Sequence, residues 1–203
     1  MKRFLIAIAF ATATLGSYGQ VKINNNILPA DVQIKIALQA APIEFREKAK
    51  VLGYNEKGEL ITLKEGTNGY ICLAPDYKAP NYFASYCYPE SLDPLMSRGR
   101  DLIAEGKRKQ RNEIRAKEFS EGKFTMPTAP TTMYGYWGTL AKLNQETGEM
   151  ADAKRRYVIY VSGAKASDLG IPNTPNNLGM PWLMDEGTYK AHIMITPPLE
   201  HQH

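Results

Sequence analysis

Clusters of turn-forming residues cut both halves of this chain into short segments. Asn55-Glu56-Lys57-Gly58, Glu65-Gly66-Thr67-Asn68-Gly69 and Asn144-Gln145-Glu146-Thr147-Gly148 each end in glycine, the residue that enters the left-handed backbone region without a Cβ clash. The pieces between them are brief and rich in β-branched and aromatic side chains, the pattern of strands joined by turns. Phe45 to Tyr54 and Glu59 to Lys64 flank the first cluster and predict a hairpin, and Tyr70 to Leu73 extends it into a meander. Thr131 to Leu140 and Arg156 to Ser162 predict a second hairpin around the third cluster, with Lys190 to Thr196 as a last strand.

Two helices accompany these strands, one ahead of the first and one between the two hairpins. Pro29 to Ala40 spaces its apolar residues at helical intervals and opens with Pro and Asp, so a short helix is expected. Asp93 followed by Pro94 is a good helix start, and the next strong breaker is Gly122, which predicts a helix of up to about 28 residues. On its wheel Leu95, Met96, Leu102, Ile103 and Ile114 share a face with Gly99 and Gly106, while Lys107, Arg108, Arg111 and Arg115 form an adjacent basic stripe. That stripe reads as a solvated face interleaved with Glu105, Glu113 and Glu118, or as a surface for an anionic partner. Ala164 to Gly170 suggests one further helical turn, and Ala74 to Pro89 and Ile171 to Gly187 read as loops rich in Pro, Tyr, Asn and Gly. The expected fold class is α+β: an antiparallel sheet of about six strands with one long and one short helix, the helices on one side. At 203 residues, one domain is the default.

The first residues read as an export signal. Met1, Lys2 and Arg3 precede twelve uncharged residues, Phe4 to Leu15, and Ser17 and Gly19 supply the small side chains a signal peptidase accepts before Gln20. A membrane span needs about 20 apolar residues, which this run does not reach. The organisation expected is a signal peptide over 1–19, a flexible leader over 20–28, a single domain over 29–199 and a frayed tail over 200–203, in the periplasm or outside the cell. Cleavage removes two of the 25 basic residues, leaving a nearly neutral balance against 21 acids. That argues against a nucleic-acid binder, which needs a concentrated basic footprint. Cys72 and Cys87 can bridge in an oxidising compartment; a closed loop of about 15 residues would add roughly 3 kcal/mol. Two separate buried thiols or a redox pair are the alternatives, although C-x-x-C spacing is absent.

Motifs that carry chemistry are few. There is no H-E-x-x-H, G-x-S-x-G, P-loop or EF-hand loop. Ser162-Gly163-Ala164-Lys165 matches S-x-x-K, in which a lysine one helical turn beyond a serine eases its deprotonation. His192, with Met194 and Thr196 on one face of the last strand, is a general-base candidate beside Asp185 or Glu186, or a histidine satisfied by ordinary hydrogen bonds. His201 and His203 make a poor metal site on a chain end, so no metal and no cofactor is expected. Tyr134 and Tyr136, with Tyr160 nearby, are either a stacking platform for a flat ligand or core packing.

Three stretches carry a likeness: Glu65 to Cys72, Met126-Pro127 through Tyr134, and Gly179-Met180-Pro181-Trp182-Leu183-Met184 through Ala191-His192-Ile193-Met194. Together they resemble a group of exported bacterial proteins that carry no assigned activity. The resemblance implies a shared fold and export, and names no reaction. The expectation is therefore a non-catalytic exported module that binds a small molecule or a cell-envelope partner, through Tyr134, Tyr136, Trp182, Asp185 and His192. The alternative is a small hydrolase using His192 with Asp185 or Glu186, or Ser162 with Lys165. A purely structural or assembly role is the third reading.

Overall fold

A computed structural model describes residues 27–79, 83–175 and 179–198. The expected signal peptide, nearly all of the leader and the tail with His201 and His203 lie outside the described residues. Eight strands form one sheet: β1 (Lys50–Tyr54), β2 (Leu60–Lys64), β3 (Tyr70–Leu73), β4 (Phe83–Pro89), β5 (Thr131–Gly138), β6 (Lys154–Tyr160), β7 (Trp182–Met184) and β8 (His192–Ile195). Their spatial order is β2-β1-β3-β4-β5-β6-β8-β7. The helices are α1 (Ala30–Gln39), α2 (Ile43–Arg46), α3 (Asp93–Ala104), α4 (Arg111–Ser120) and α5 (Ala166–Leu169). The α+β class holds, with more strands and helices than expected and with a mixed sheet.

The mixture comes from one crossing. β3 pairs in parallel with β1, and not with β2 as a meander requires. The turn after β2 passes back over the start of β1, where Thr67 N–H donates to the Lys48 carbonyl. Gly66 lies so close to that strand that a Cβ would sit 2.1 Å from the Lys50 nitrogen, so only glycine permits the crossing.

β3 and β4 run antiparallel with Cys72 directly opposite Cys87, their Cα atoms 4.0 Å apart, and the two are joined as a disulfide. β4 corrects the expectation of a loop between these cysteines. Phe83, Ala84, Ser85, Cys87 and Tyr88 are all buried, so both faces of β4 are covered and the in-out alternation that marks a strand is missing.

Helices cover both faces of the sheet, where one side was expected. Val51, Cys72, Phe83, Cys87 and Tyr136 pack with Val32, Ile36 and Ala37 of α1 on the first face. Gln33 is 3 % exposed within α1; its amide donates to the Leu28 and Tyr54 carbonyls and accepts the Tyr54 N–H, so burial leaves it satisfied. Neighbouring strand residues point the other way: Ile71 and Tyr88 join Leu92, Leu95 and Met126 beneath α3 and α4.

The expected long helix is two helices. Gly106 takes φ +76°, the Lys107 N–H reaches the Leu102 carbonyl and the Gly106 N–H reaches that of Ile103. That is a Schellman stop, built on the one residue that enters this region without strain. The basic stripe divides as well: Arg108 is exposed, whereas Arg115 is 8 % exposed and donates to the Leu95 carbonyl. Among the described residues no helix is long and apolar enough to cross a membrane.

Candidate functional site

On the α3/α4 side, Met133 and Tyr160 pack partly against the core beneath these helices. From there the sheet surface opens into a groove of about 180 Å3. β5 contributes Met133, Gly135 and Trp137; β6 contributes Arg156, Val158 and Tyr160; β8 contributes His192 and Met194; β4 adds Tyr86. Every contribution steps by two along its strand, as one face of a sheet requires. The registers Gly135 to Arg156, Met133 to Val158, Val158 to Met194 and Tyr160 to His192 set these side chains in rows.

Gly135 forms the floor. A Cβ there would meet the Arg156 carbonyl and the Tyr86 ring at 3.6 Å, which is ordinary contact, and the backbone is not among the positive-φ glycines. Neither space nor backbone requires glycine at this position in mid-strand. What its bare Cα does is leave the floor open, a use of strand glycine where another group approaches closely.

The two ends of the groove differ. At one, the Arg156 guanidinium lies 4.9 Å from the centre of the Trp137 ring, and its Nε donates to Thr196 Oγ1 at 3.2 Å. Among the described residues no carboxylate lies within 4.0 Å of Arg156. At the other end the His192 and Tyr160 rings sit 5.2 Å apart. His192 Nδ1 is 2.7 Å from the Lys190 carbonyl. A carbonyl only accepts, so Nδ1 carries the proton and Nε2 is left as the acceptor. Burial pulls the His192 pKa below its ordinary value, outweighing the Lys190 carbonyl and Asp185, which raise it. The ring is neutral at pH 7. Burial likewise pushes the Tyr160 hydroxyl up to about 12.

The expected catalytic sets do not assemble. Asp185 stands 3.9 Å from His192 Nδ1, beyond hydrogen-bond length, and its carboxylate is held by Lys190. Glu186 accepts the Ala166 N–H at the start of α5 and the Asn173 amide, which hold its carboxyl below the usual range. Ser162 and Lys165 are exposed in a turn closed by the Ala164 N–H on the Val161 carbonyl, so no helical turn brings the lysine back over the serine. Among the described residues no group of three or more His, Cys, Asp or Glu is placed to hold a metal ion.

The expected binding residues fall on opposite faces. Tyr136 is 2 % exposed in the α1 core, where its hydroxyl accepts the Met150 N–H at 2.7 Å and Arg155 lies over its ring. Tyr134 shares that face, edge-on to Tyr157. His192 and, by its pairing with Met194, Trp182 belong to the groove face, with Trp182 on the outermost strand. The residues overlooked from sequence are Met133, Gly135, Trp137 and Arg156. Met133, Gly135 and Trp137 are the alternate set of the same aromatic segment that holds Tyr134 and Tyr136, and the small residue between two large ones is the signal that could have found them. The chain matches no protein-family model, no curated protein and no solved structure.

Proposed function

We propose that this chain is an exported domain that binds a small molecule in the groove floored by Gly135, without transforming it. The observation that carries this reading is the floor itself: a glycine in mid-strand, free of steric or backbone need, beneath a cleft walled by Tyr86, Met133, Trp137, Val158 and Met194. Concave, mainly apolar sites with a few polar groups at the rim are the usual form of a small-ligand site. Export is supported by the Lys2-Arg3 and Phe4–Leu15 pattern and by a cross-strand disulfide, a bond that persists outside the cytoplasm. Binding without catalysis is supported by the scatter of reactive groups: among the described residues no carboxylate lies within hydrogen-bond reach of His192, and Ser162 and Lys165 lie exposed in a turn.

The test is ligand-observed NMR with p-cresol, a small neutral ring of the size the groove accepts. Saturation transfer to p-cresol is expected in the native protein and is lost when Gly135→Val fills the floor. Transfer of equal strength in Gly135→Val places binding elsewhere and overturns the reading.

A further inference from the structure

The two ends of this groove are chemically unlike, and that asymmetry specifies a ligand class. Along β6, Arg156 and Tyr160 are four residues apart, about 13 Å of strand, with His192 directly across from Tyr160. Between them the lining is apolar: Met133, Val158 and Met194 around the bare Gly135. Arg156 is fixed in place by the Trp137 ring and by Nε on Thr196. Its two terminal nitrogens are not engaged by any described carboxylate, and they are the pair that matches the two oxygens of a carboxylate. Among the described residues that line the groove, Arg156 is the one permanent cation. One positive charge suits the single charge of a carboxylate better than the nearly two charges of a phosphate ester at neutral pH. At the far end, His192 offers Nε2 as an acceptor, because Nδ1 is committed to the Lys190 carbonyl.

Resting on the groove-binding reading above, we propose that the ligand is a short amphipathic carboxylic acid with a flat apolar middle. Its carboxylate pairs with Arg156, and a hydroxyl or N–H at its other end donates to His192 Nε2. The class includes hydroxylated aromatic acids.

Isothermal titration of the purified protein with 3-(4-hydroxyphenyl)propionate, its amide and 3-phenylpropionate tests both ends. The acid is expected to bind at least about tenfold tighter than the amide, the scale of one charge-assisted hydrogen-bonded pair. Arg156→Gln brings that ratio close to one, and an unchanged circular dichroism spectrum and urea midpoint report that the protein is still folded. Loss of the para-hydroxyl weakens binding about three- to tenfold in the native protein and has no effect in His192→Phe. Equal binding of acid and amide by the native protein, or an undiminished ratio in Arg156→Gln, overturns the carboxylate assignment; indifference to the hydroxyl overturns the His192 half. Binding of p-cresol that depends on Gly135, without preference for the acid, overturns this inference and leaves the groove reading standing. Failure of p-cresol and the acid alike overturns both.

Discussion

Replacing Gly135 should move stability and binding in opposite directions. A glycine required by the fold is destabilised by substitution, through clash or through a forbidden φ. Gly135 has neither liability: the added Cβ of alanine meets its nearest atoms, the Arg156 carbonyl and Tyr86, at 3.6 Å and the Arg156 side chain at 3.7 Å. Glycine in mid-strand costs about 0.5–1 kcal/mol relative to alanine, because the unfolded chain loses more freedom when it is ordered. Gly135→Ala should therefore stabilise by about 0.5–1 kcal/mol. Urea unfolding followed by fluorescence would show this as a higher midpoint at unchanged slope. Gly135→Val, which fills more of the floor, should abolish p-cresol binding while the protein stays folded. A loss of more than about 1 kcal/mol in Gly135→Ala would mean that glycine serves the fold there, and the argument from an open floor would fail.

Three further perturbations bear on the rest of the molecule. Tyr136→Phe strands the buried Met150 N–H that the hydroxyl accepts at 2.7 Å; a loss of about 1–3 kcal/mol in urea unfolding is expected, with p-cresol affinity unchanged. Joint replacement of Cys72 and Cys87 by alanine opens the β3–β4 staple and should lower stability by roughly 3 kcal/mol, read from unfolding midpoints that no longer respond to a reducing agent. His192 has a folded-state pKa below its unfolded one. Its contribution to stability is thus complete above the ordinary histidine pKa of about 6.5 and is lost as pH falls through the lowered value; His192→Gln should flatten the stability profile in that acidic window, and an unaltered profile would show that the ring is solvated.

What sequence reading recovered and what it missed have separate physical causes. The turns at Gly58 and Gly148 were legible because both glycines take positive φ, and turn chemistry is local. α1, β3 and the β5–β6 pairing followed from the same local signals. β4 was not legible: Pro75 and Pro89 frame it and its two faces are both buried, so nothing in its own residues alternates. The crossing that sets β3 beside β1 depends on a close approach of Gly66 to Lys50, a long-range contact with no local signature. Gly106 sits on the apolar side of a helical wheel and equally at a helix end, and only the capping bonds decide between them. At the candidate site, alternation along β5 sets Tyr134 and Tyr136 on one face and Met133, Gly135 and Trp137 on the other, and Tyr160, expected near the first pair, lies with the second set. Which set faces the open groove depends on where α1 packs, because Tyr136 is taken into the core beneath it. Arg156 escaped notice because a charged residue near a strand end looks like solvated edge until Trp137 is seen beside it.

The groove claim is tested most directly by methyl NMR on protein labelled at methionine, titrated with p-cresol. Met133 and Met194 line the groove, whereas Met150 is buried in the α1 core on the other face. The account predicts saturable shifts of the Met133 and Met194 methyl signals with Met150 unmoved. Shifts confined to Met150, or none at Met133 and Met194 at concentrations where p-cresol is bound, would contradict it.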